Sequence, residues 1–138
     1  MGNALLQDYP ETRQIVERLR FGRPHENLCL FVPSHTRDGK ELESQAEWAT
    51  KALKLFGDLF GGATAFKHLE GIFKPDDADA MYDSPIMVQT LTPKERVENE
   101  KSLRKLGEFC RMMGTETDQH SVGLVVNNYF INIRIGKK

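Results

Sequence analysis

The chain has 138 residues, and its 19 Lys and Arg residues nearly balance its 20 Asp and Glu residues. A chain of this length is typical of one domain and buries about two-thirds of the surface that the unfolded chain exposes. It can therefore fold without disulfide bonds or a structural metal ion. The balanced charge disfavours nucleic acid as a partner, because sequence-independent binding needs an excess of basic side chains.

The cysteines and the apolar segments indicate a cytoplasmic protein. Cys29 and Cys110 each lie within an apolar segment, which is typical of reduced thiols that pack as small apolar side chains. No apolar run reaches the roughly 20 residues that a membrane helix requires, and residues 1–8 lack the basic start and apolar run of a signal peptide. We therefore expect no membrane partner.

The N-terminal part predicts one helix followed by a buried strand. Residues 11–21 carry three aliphatic side chains at helical spacing with charged residues between them, which indicates an amphipathic helix. Residues 27–33 are apolar on both alternating faces, as in a central strand. We therefore divide the chain into an N-terminal helical extension, residues 1–26, and a main domain, residues 27–138.

The middle of the chain predicts a long helix and a hairpin. After a polar loop, residues 41–60 present an apolar stripe at helical spacing, and the Gly-Gly pair that follows can adopt the positive φ angles that end a helix. Residues 63–73 and 84–90 are rich in strand-forming residues and flank a polar, acidic stretch. We expect them to pair as a hairpin with a long tip.

The C-terminal third predicts a second helix and a second hairpin. The Thr-Pro-Lys-Glu sequence that starts at Thr92 has the pattern of a capping box, so a helix is expected over residues 93–113, with Gly114 as its end. Residues 121–126 and 129–133 flank two Asn residues, which tolerate the positive φ angles of a tight turn. The last strand should lie at the edge of the sheet.

The order of these elements predicts an α+β fold, namely a ferredoxin-like βαββαβ sandwich with an N-terminal helix and an extra C-terminal edge strand. The segment from Trp48 through Phe-Gly-Gly-Ala-Thr at residues 60–64 to Phe73 resembles small, uncharacterised bacterial proteins. In those proteins a helix that ends in this motif enters the second strand of a ferredoxin-like fold. The resemblance implies the same fold and carries no activity, cofactor or catalytic residue.

The open face of the predicted sheet indicates a homodimer. Both helices of this fold cover one face of the sheet, yet the strands at residues 27–33, 84–90 and 121–126 are apolar on both faces. Soluble monomers rarely expose so large an apolar patch. We expect the N-terminal helix to cover part of it and a second copy to cover the rest; in the alternative, these strands are central strands of a well-covered monomer.

The predicted topology also gathers polar residues at one edge of the sheet. His35 follows the first strand and His120 precedes the fourth, and these strands are neighbours in this fold, so both imidazoles should lie close together. One imidazole can act as a general acid and the other as a general base, so these two are the predicted catalytic residues. The predicted ligand-binding residues nearby are Thr36, Arg37, Asp38, Glu116 and Asp118, and the predicted metal ligands are Asp76, Asp77 and Asp79. The alternative is a solvated polar rim without function.

Two functional hypotheses follow from these residues. The first is a non-enzymatic bacterial accessory or regulatory module that forms a homodimer through its sheet and binds a protein or a small ligand. It is favoured because no complete catalytic constellation is visible in the sequence. The second is a metal-assisted phosphoesterase-type hydrolase that uses His35 and His120. The sequence identifies no cofactor.

Overall fold

A computed structural model of the chain describes residues 10–19, 24–74 and 79–136. The helices are α1 (Pro10–Leu19), α2 (Gln45–Phe60), α3 (Lys94–Val97) and α4 (Glu100–Glu116). The strands are β1 (Glu26–Val32), β2 (Thr64–Phe66), β3 (Gly71–Phe73), β4 (Met81–Asp83), β5 (Ile86–Thr92), β6 (Ser121–Val126) and β7 (Tyr129–Arg134). None of the helices in these ranges is long and apolar enough to cross a membrane.

The main sheet has the strand order that the sequence predicts for a ferredoxin-like fold. Five strands pair in the order β2-β5-β1-β6-β7, and every neighbouring pair is antiparallel. The elements β1, α2, β2, β5, α4 and β6 form the βαββαβ unit, and β7 is the extra edge strand. The α+β, ferredoxin-like prediction is therefore confirmed.

The core lies between one face of this sheet and the helices α2 and α4. The side chains of Leu30, Val88 and Phe56 are all fully buried there. The rings of Trp48 on α2 and Phe109 on α4 meet edge to face, with their centroids 5.9 Å apart, a geometry that aromatic quadrupoles favour. Burial of each such side chain contributes on the order of 2 kcal/mol to folding.

The expected capping box at Thr92 does not form, so this prediction is wrong. Thr92 is the last residue of β5, and Pro93 precedes the short helix α3 without any side-chain capping bond. The long helix α4 begins later, where the Asn99 side chain accepts a hydrogen bond of 3.0 Å from the Ser102 amide. The buried Thr92 hydroxyl instead donates to the Phe60 carbonyl, 2.9 Å away, and so ties β5 to the end of α2.

The prediction that Gly114 ends the second helix is also wrong. Helix α4 continues through Gly114 to Glu116. A Cβ atom at Gly114 would lie 2.5 Å from Ile135 Cγ1 and 2.9 Å from Val122 Cγ2. The glycine is therefore required by the close approach of α4 to the sheet and not by a left-handed backbone. At the end of α2, by contrast, Gly61 has φ of 96° and ends the helix as predicted.

The predicted strand at residues 63–73 is two separate strands. Strand β2 pairs with β5 in the main sheet, whereas β3 pairs with β4 in a two-stranded ribbon outside it. The chain turns between β2 and β3 at His68, which is exposed and has φ of 62°. Strands cannot accommodate this left-handed conformation, so the hairpin with residues 84–90 is interrupted there.

Helix α1 confirms the predicted N-terminal helix, and two of its apolar side chains are exposed. Its side chains Ile15 and Leu19 are 57% and 56% exposed. These two residues therefore do not bury themselves against the apolar open face of the sheet. The predicted covering role of the N-terminal helix is not supported by them.

Both cysteines are free and buried, as the sequence predicts. Burial raises the pKa of the Cys110 thiol to about 11, and the nearby Arg111 charge only partly opposes this shift. Burial likewise raises the pKa of Cys29, with opposition from hydrogen bonds of Asn27 and Gln89. Thiols with raised pKa values are poor nucleophiles, so neither cysteine is suited to covalent catalysis.

Candidate functional site

A cleft of about 420 Å³ lies at the edge of the sheet where β1 ends and β6 begins. We call it the upper cleft. The loop after β1, the end of β4 and the segment before β6 contribute to its walls, together with side chains from the open face of the sheet. Its volume falls within the range of small-molecule pockets, roughly 300–1,000 Å³.

One end of the upper cleft is aromatic because of a glycine in β6. Phe31 of β1 and Phe130 of β7 both line the cleft. A Cβ atom at Gly123 would lie 3.0 Å from the Phe130 ring and 3.5 Å from the Phe31 ring. The missing side chain thus leaves room for both rings on the open face, and it creates an apolar surface on which a planar group can stack.

The loop after β1 is held by its own backbone. The Thr36 amide donates to the Lys40 carbonyl at 2.8 Å, and the Leu42 amide donates to the Ser34 carbonyl at 2.8 Å. Gly39 adopts φ of 85°, which this tight turn needs. The side chains of this loop are therefore presented from a defined backbone, which lowers the entropy cost of binding.

Arg37 joins this loop to the segment before β6. Its backbone amide donates to the Asp118 carbonyl at 2.7 Å, and its guanidinium donates to the Gln119 carbonyl at 2.5 Å. Its Nε atom lies 2.9 Å from Asp118 Oδ1, an ion-pair contact that is not aligned as a hydrogen bond. The Gln119 side chain donates back to the His35 carbonyl at 2.7 Å. These contacts fix His35 relative to β6.

A buried serine links His35 to a carboxylate from β4. Ser34 is 6% exposed. Its hydroxyl lies 2.6 Å from His35 Nδ1 and is also hydrogen bonded to Asp83 Oδ1. The Ser34 amide donates to the same Asp83 oxygen at 3.1 Å, and the Ser84 amide donates to the Ser34 hydroxyl at 2.9 Å. The result is a connected chain of polar groups from β4 to the cleft wall.

A second cleft of about 560 Å³ adjoins the upper cleft. We call it the side cleft, and its walls include Glu70 and Ile72 from the segment that leads into the β3–β4 ribbon. Three residues line both clefts, namely His35, Tyr82 and Asp83. The imidazole and the carboxylate therefore lie where the two clefts meet.

The structure brings together some of the predicted site residues and leaves others apart. His35, Thr36, Arg37 and His120 line the upper cleft. Asp118 acts through Arg37. Of the predicted site residues that the structure describes, four line neither cleft: Asp118, which is half-buried, and Asp38, Asp79 and Glu116, which are exposed.

The predicted metal site gains no support from the part of the chain that the structure describes. Within residues 10–19, 24–74 and 79–136, no three His, Cys, Asp or Glu side chains are grouped as metal ligands. Asp76 and Asp77 lie outside the described residues. The catalytic and ligand-binding roles of the other residues remain predictions.

Sequence reasoning missed several residues that line the upper cleft or support its walls. Ser34 and Asp83 are polar residues at strand ends, next to His35 and Ser84 respectively. Their direct hydrogen bond joins positions 49 residues apart, and nothing local in the sequence indicates it. Phe130 is predicted only as part of an edge strand, and its position in the cleft depends on Gly123 in the neighbouring strand.

Comparisons with known proteins identify a fold and no family. No family model and no curated protein matches this sequence. A phage SAM lyase in complex with S-methyl-5'-thioadenosine has a TM-score of 0.62 at 10% identity, and the match covers 83% of this chain and 93% of that chain. The same enzyme in its apo state gives a TM-score of 0.61 at 11% identity, with the same coverage of 83% and 93%.

A weaker match is the crystal structure of divalent ion tolerance protein CutA1 from Ehrlichia chaffeensis. Its TM-score is 0.40 at 12% identity, and the match covers 76% of this chain and 81% of that chain. Identities this low show a common fold alone. We conclude that the chain shares its ferredoxin-like fold with the phage SAM lyase.

Proposed function

We propose that this chain binds an adenosine thioether or sulfonium compound in the upper cleft. The observation that supports this is the composition of the cleft, whose walls combine the aromatic rings of Phe31 and Phe130 with polar groups such as His35 and Asp83. The phage SAM lyase of the same fold was crystallised with S-methyl-5'-thioadenosine. We therefore take that compound and S-adenosylmethionine (SAM) as representatives of the ligand class.

The cleft offers a complementary partner for each part of such a ligand. An adenine ring can stack on Phe31 or Phe130, and base stacking on an aromatic side chain contributes roughly 1–3 kcal/mol. Ribose hydroxyls can hydrogen bond to the polar wall near His35. The positive sulfonium of SAM is attracted to the face of Tyr82 and to the Asp83 carboxylate, which both line the cleft.

Isothermal titration calorimetry with S-methyl-5'-thioadenosine and with SAM tests this proposal. We expect both compounds to bind, and Phe130→Ala to weaken binding by roughly tenfold to a hundredfold, as the loss of one stacking partner predicts. Tyr129→Ala is the matched control, because Tyr129 is on the same strand, is 75% exposed and does not line the cleft. If neither compound binds, the proposal is wrong.

A second candidate function is acid–base catalysis in the same cleft. It is favoured by the placement of His35, His120 and Asp83 around one cavity, which can supply a base and an acid to a bound substrate. Two assays separate the reaction classes: release of S-methyl-5'-thioadenosine from SAM reports a lyase, and hydrolysis of a nitrophenyl phosphodiester with and without Mn²⁺ reports the hydrolase. A protein that binds SAM and leaves it intact is a binding module.

We also propose that the open face of the sheet packs against a second copy. Apolar side chains on this face outside the upper cleft remain exposed: Leu91 by 62% and Phe66 by 40%. Covering them would bury apolar surface, and this burial would stabilise a dimer by about 25 cal/mol per Å². Light scattering after size-exclusion chromatography should show a dimer that Leu91→Asp dissociates. Leu103→Asp, on the outer surface of α4 and 43% exposed, should leave it intact; a monomeric wild type excludes this assembly.

A further inference from the structure

The hydrogen bonds of Ser34 determine which ring nitrogen of His35 carries a proton. A hydroxyl has one hydrogen to donate and two lone pairs to accept with. Three groups surround the Ser34 oxygen: the Asp83 carboxylate, the Ser84 amide at 2.9 Å and His35 Nδ1 at 2.6 Å. The carboxylate can only accept, so it takes the single hydrogen, and the amide can only donate, so it takes one lone pair.

The remaining lone pair of Ser34 faces His35 Nδ1. Since the hydroxyl has no second hydrogen, Nδ1 must be the donor in this contact. The neutral ring is then protonated at Nδ1, and its Nε2 atom carries a free lone pair. Within the described part of the chain, Nε2 makes no hydrogen bond. The ring lies at the junction of the upper and side clefts.

The surroundings of Ser34 make this arrangement rigid. The Ser34 side chain is buried, and its amide also donates to Asp83 Oδ1 at 3.1 Å, so Asp83 cannot turn away without losing two bonds. The His35 backbone is held in turn by the Gln119 side chain at 2.7 Å. A ring whose tautomer and position are both fixed is suited to accept a proton or a hydrogen bond from a bound hydroxyl or amino group.

We propose that His35 Nε2 is the proton acceptor of the clefts and that Ser34 and Asp83 are positioning residues that set its tautomer. The ligand class is one that presents a hydroxyl hydrogen, as the ribose of a ribonucleoside does. This choice of ligand rests on the proposed function. The tautomer does not, because it follows from the protein's own hydrogen bonds.

Long-range ¹H–¹⁵N spectra of the labelled protein at about pH 8, where an ordinary imidazole is neutral, test the tautomer directly. The His35 signals are assigned by their loss in His35→Gln. We expect the wild-type ring to show a protonated Nδ1, and Ser34→Ala to lower the ratio of Nδ1–H to Nε2–H by roughly fivefold to tenfold, as the loss of one hydrogen bond predicts. A wild-type ring protonated at Nε2 overturns the inference.

Ser84→Ala is the matched control for Ser34→Ala. The Ser84 hydroxyl donates to the Leu69 carbonyl at 2.6 Å and does not touch the His35 ring, while the Ser84 amide that bonds to Ser34 is retained in the variant. Its His35 spectrum should match the wild type. A change as large as that in Ser34→Ala would show that the tautomer responds to general loosening of the loop, which also overturns the inference.

A binding comparison then tests the role of Nε2. We expect His35→Phe to weaken binding of S-methyl-5'-thioadenosine by roughly tenfold, the effect of one lost hydrogen bond to a ligand hydroxyl, and to leave binding of its 2',3'-dideoxy analogue unchanged. Equal losses for both compounds refute the acceptor role while the proposed function stands. If neither compound binds the wild type, the proposed function fails, and the spectra still decide the tautomer.

Discussion

Two helical glycines should respond to Ala substitution with opposite signs. A Cβ atom at Gly114 of α4 would lie 2.5 Å from Ile135 Cγ1, 2.6 Å from Ile135 Cδ1 and 2.9 Å from Val122 Cγ2. Val122 is buried in β6 and cannot move aside. At Gly57 of α2, no heavy atom lies within 4 Å of the added carbon.

The magnitudes follow from two opposing effects. Ala is better than Gly in a helix by about 1 kcal/mol, so Gly57→Ala should stabilise the protein by about 0.5–1 kcal/mol. At Gly114 the same gain is opposed by overpacking, which costs about 1–3 kcal/mol, so a net loss of about 1 kcal/mol, and at most about 2 kcal/mol, is expected. The two variants should therefore differ by roughly 2 kcal/mol in the free energy of unfolding.

Urea denaturation followed by circular dichroism measures both variants. Adding Ile135→Ala to Gly114→Ala removes two of the three close contacts, so the double variant should show a favourable coupling of about 1 kcal/mol. The Gly114 carbonyl also accepts the Gln119 amide at 2.9 Å, so Gly114→Ala should weaken ligand binding in the upper cleft as well. A Gly114→Ala protein as stable as Gly57→Ala would refute the close packing of α4 on the sheet.

Four further variants address the pH dependence of stability, a buried hydroxyl and the Arg37–Asp118 ion pair. The pKa of Cys110 is raised from 9.0 to about 11, so the folded state keeps its proton while the unfolded state loses it. Stability should fall between about pH 9 and 11 by up to about 1.4 kcal/mol per pH unit, and Cys110→Ala should flatten that part of a denaturation–pH profile. Thr92→Val removes the 2.9 Å bond to the Phe60 carbonyl and should lower the free energy of unfolding by about 1–2 kcal/mol, which lowers the urea midpoint. An unchanged midpoint would show that water replaces the hydroxyl. Arg37→Met should cost about 1–2 kcal/mol and weaken ligand binding, while Asp118→Asn should cost less than about 0.5 kcal/mol because the Asp118 side chain is 35% exposed; equal thermal-unfolding shifts would contradict this ranking.

Part of the candidate site could be predicted from the sequence because strand order determines which loops are neighbours. His35 and His120 were placed at one edge by the order of the strands alone, and both line the upper cleft. Asp38, Asp79 and Glu116 were grouped with them only because they lie in the same loops, and they are exposed away from the clefts. Loop position gives proximity of the backbone but not the direction of a side chain.

The amino-acid sequence by itself determined the longer helices, the strands of the main sheet and the order that gives a ferredoxin-like fold, because apolar periodicity and turn residues act over a few positions. Tertiary structure decided what individual residues do. Thr92 has the local pattern of a helix cap, yet its buried hydroxyl bonds to α2. Gly114 resembles a helix end, yet it serves close packing. Ser34, His35 and Asp83 form a connected group only because the fold brings β4 beside the end of β1, and hydrogen bonds between positions 49 residues apart leave no local pattern in the sequence.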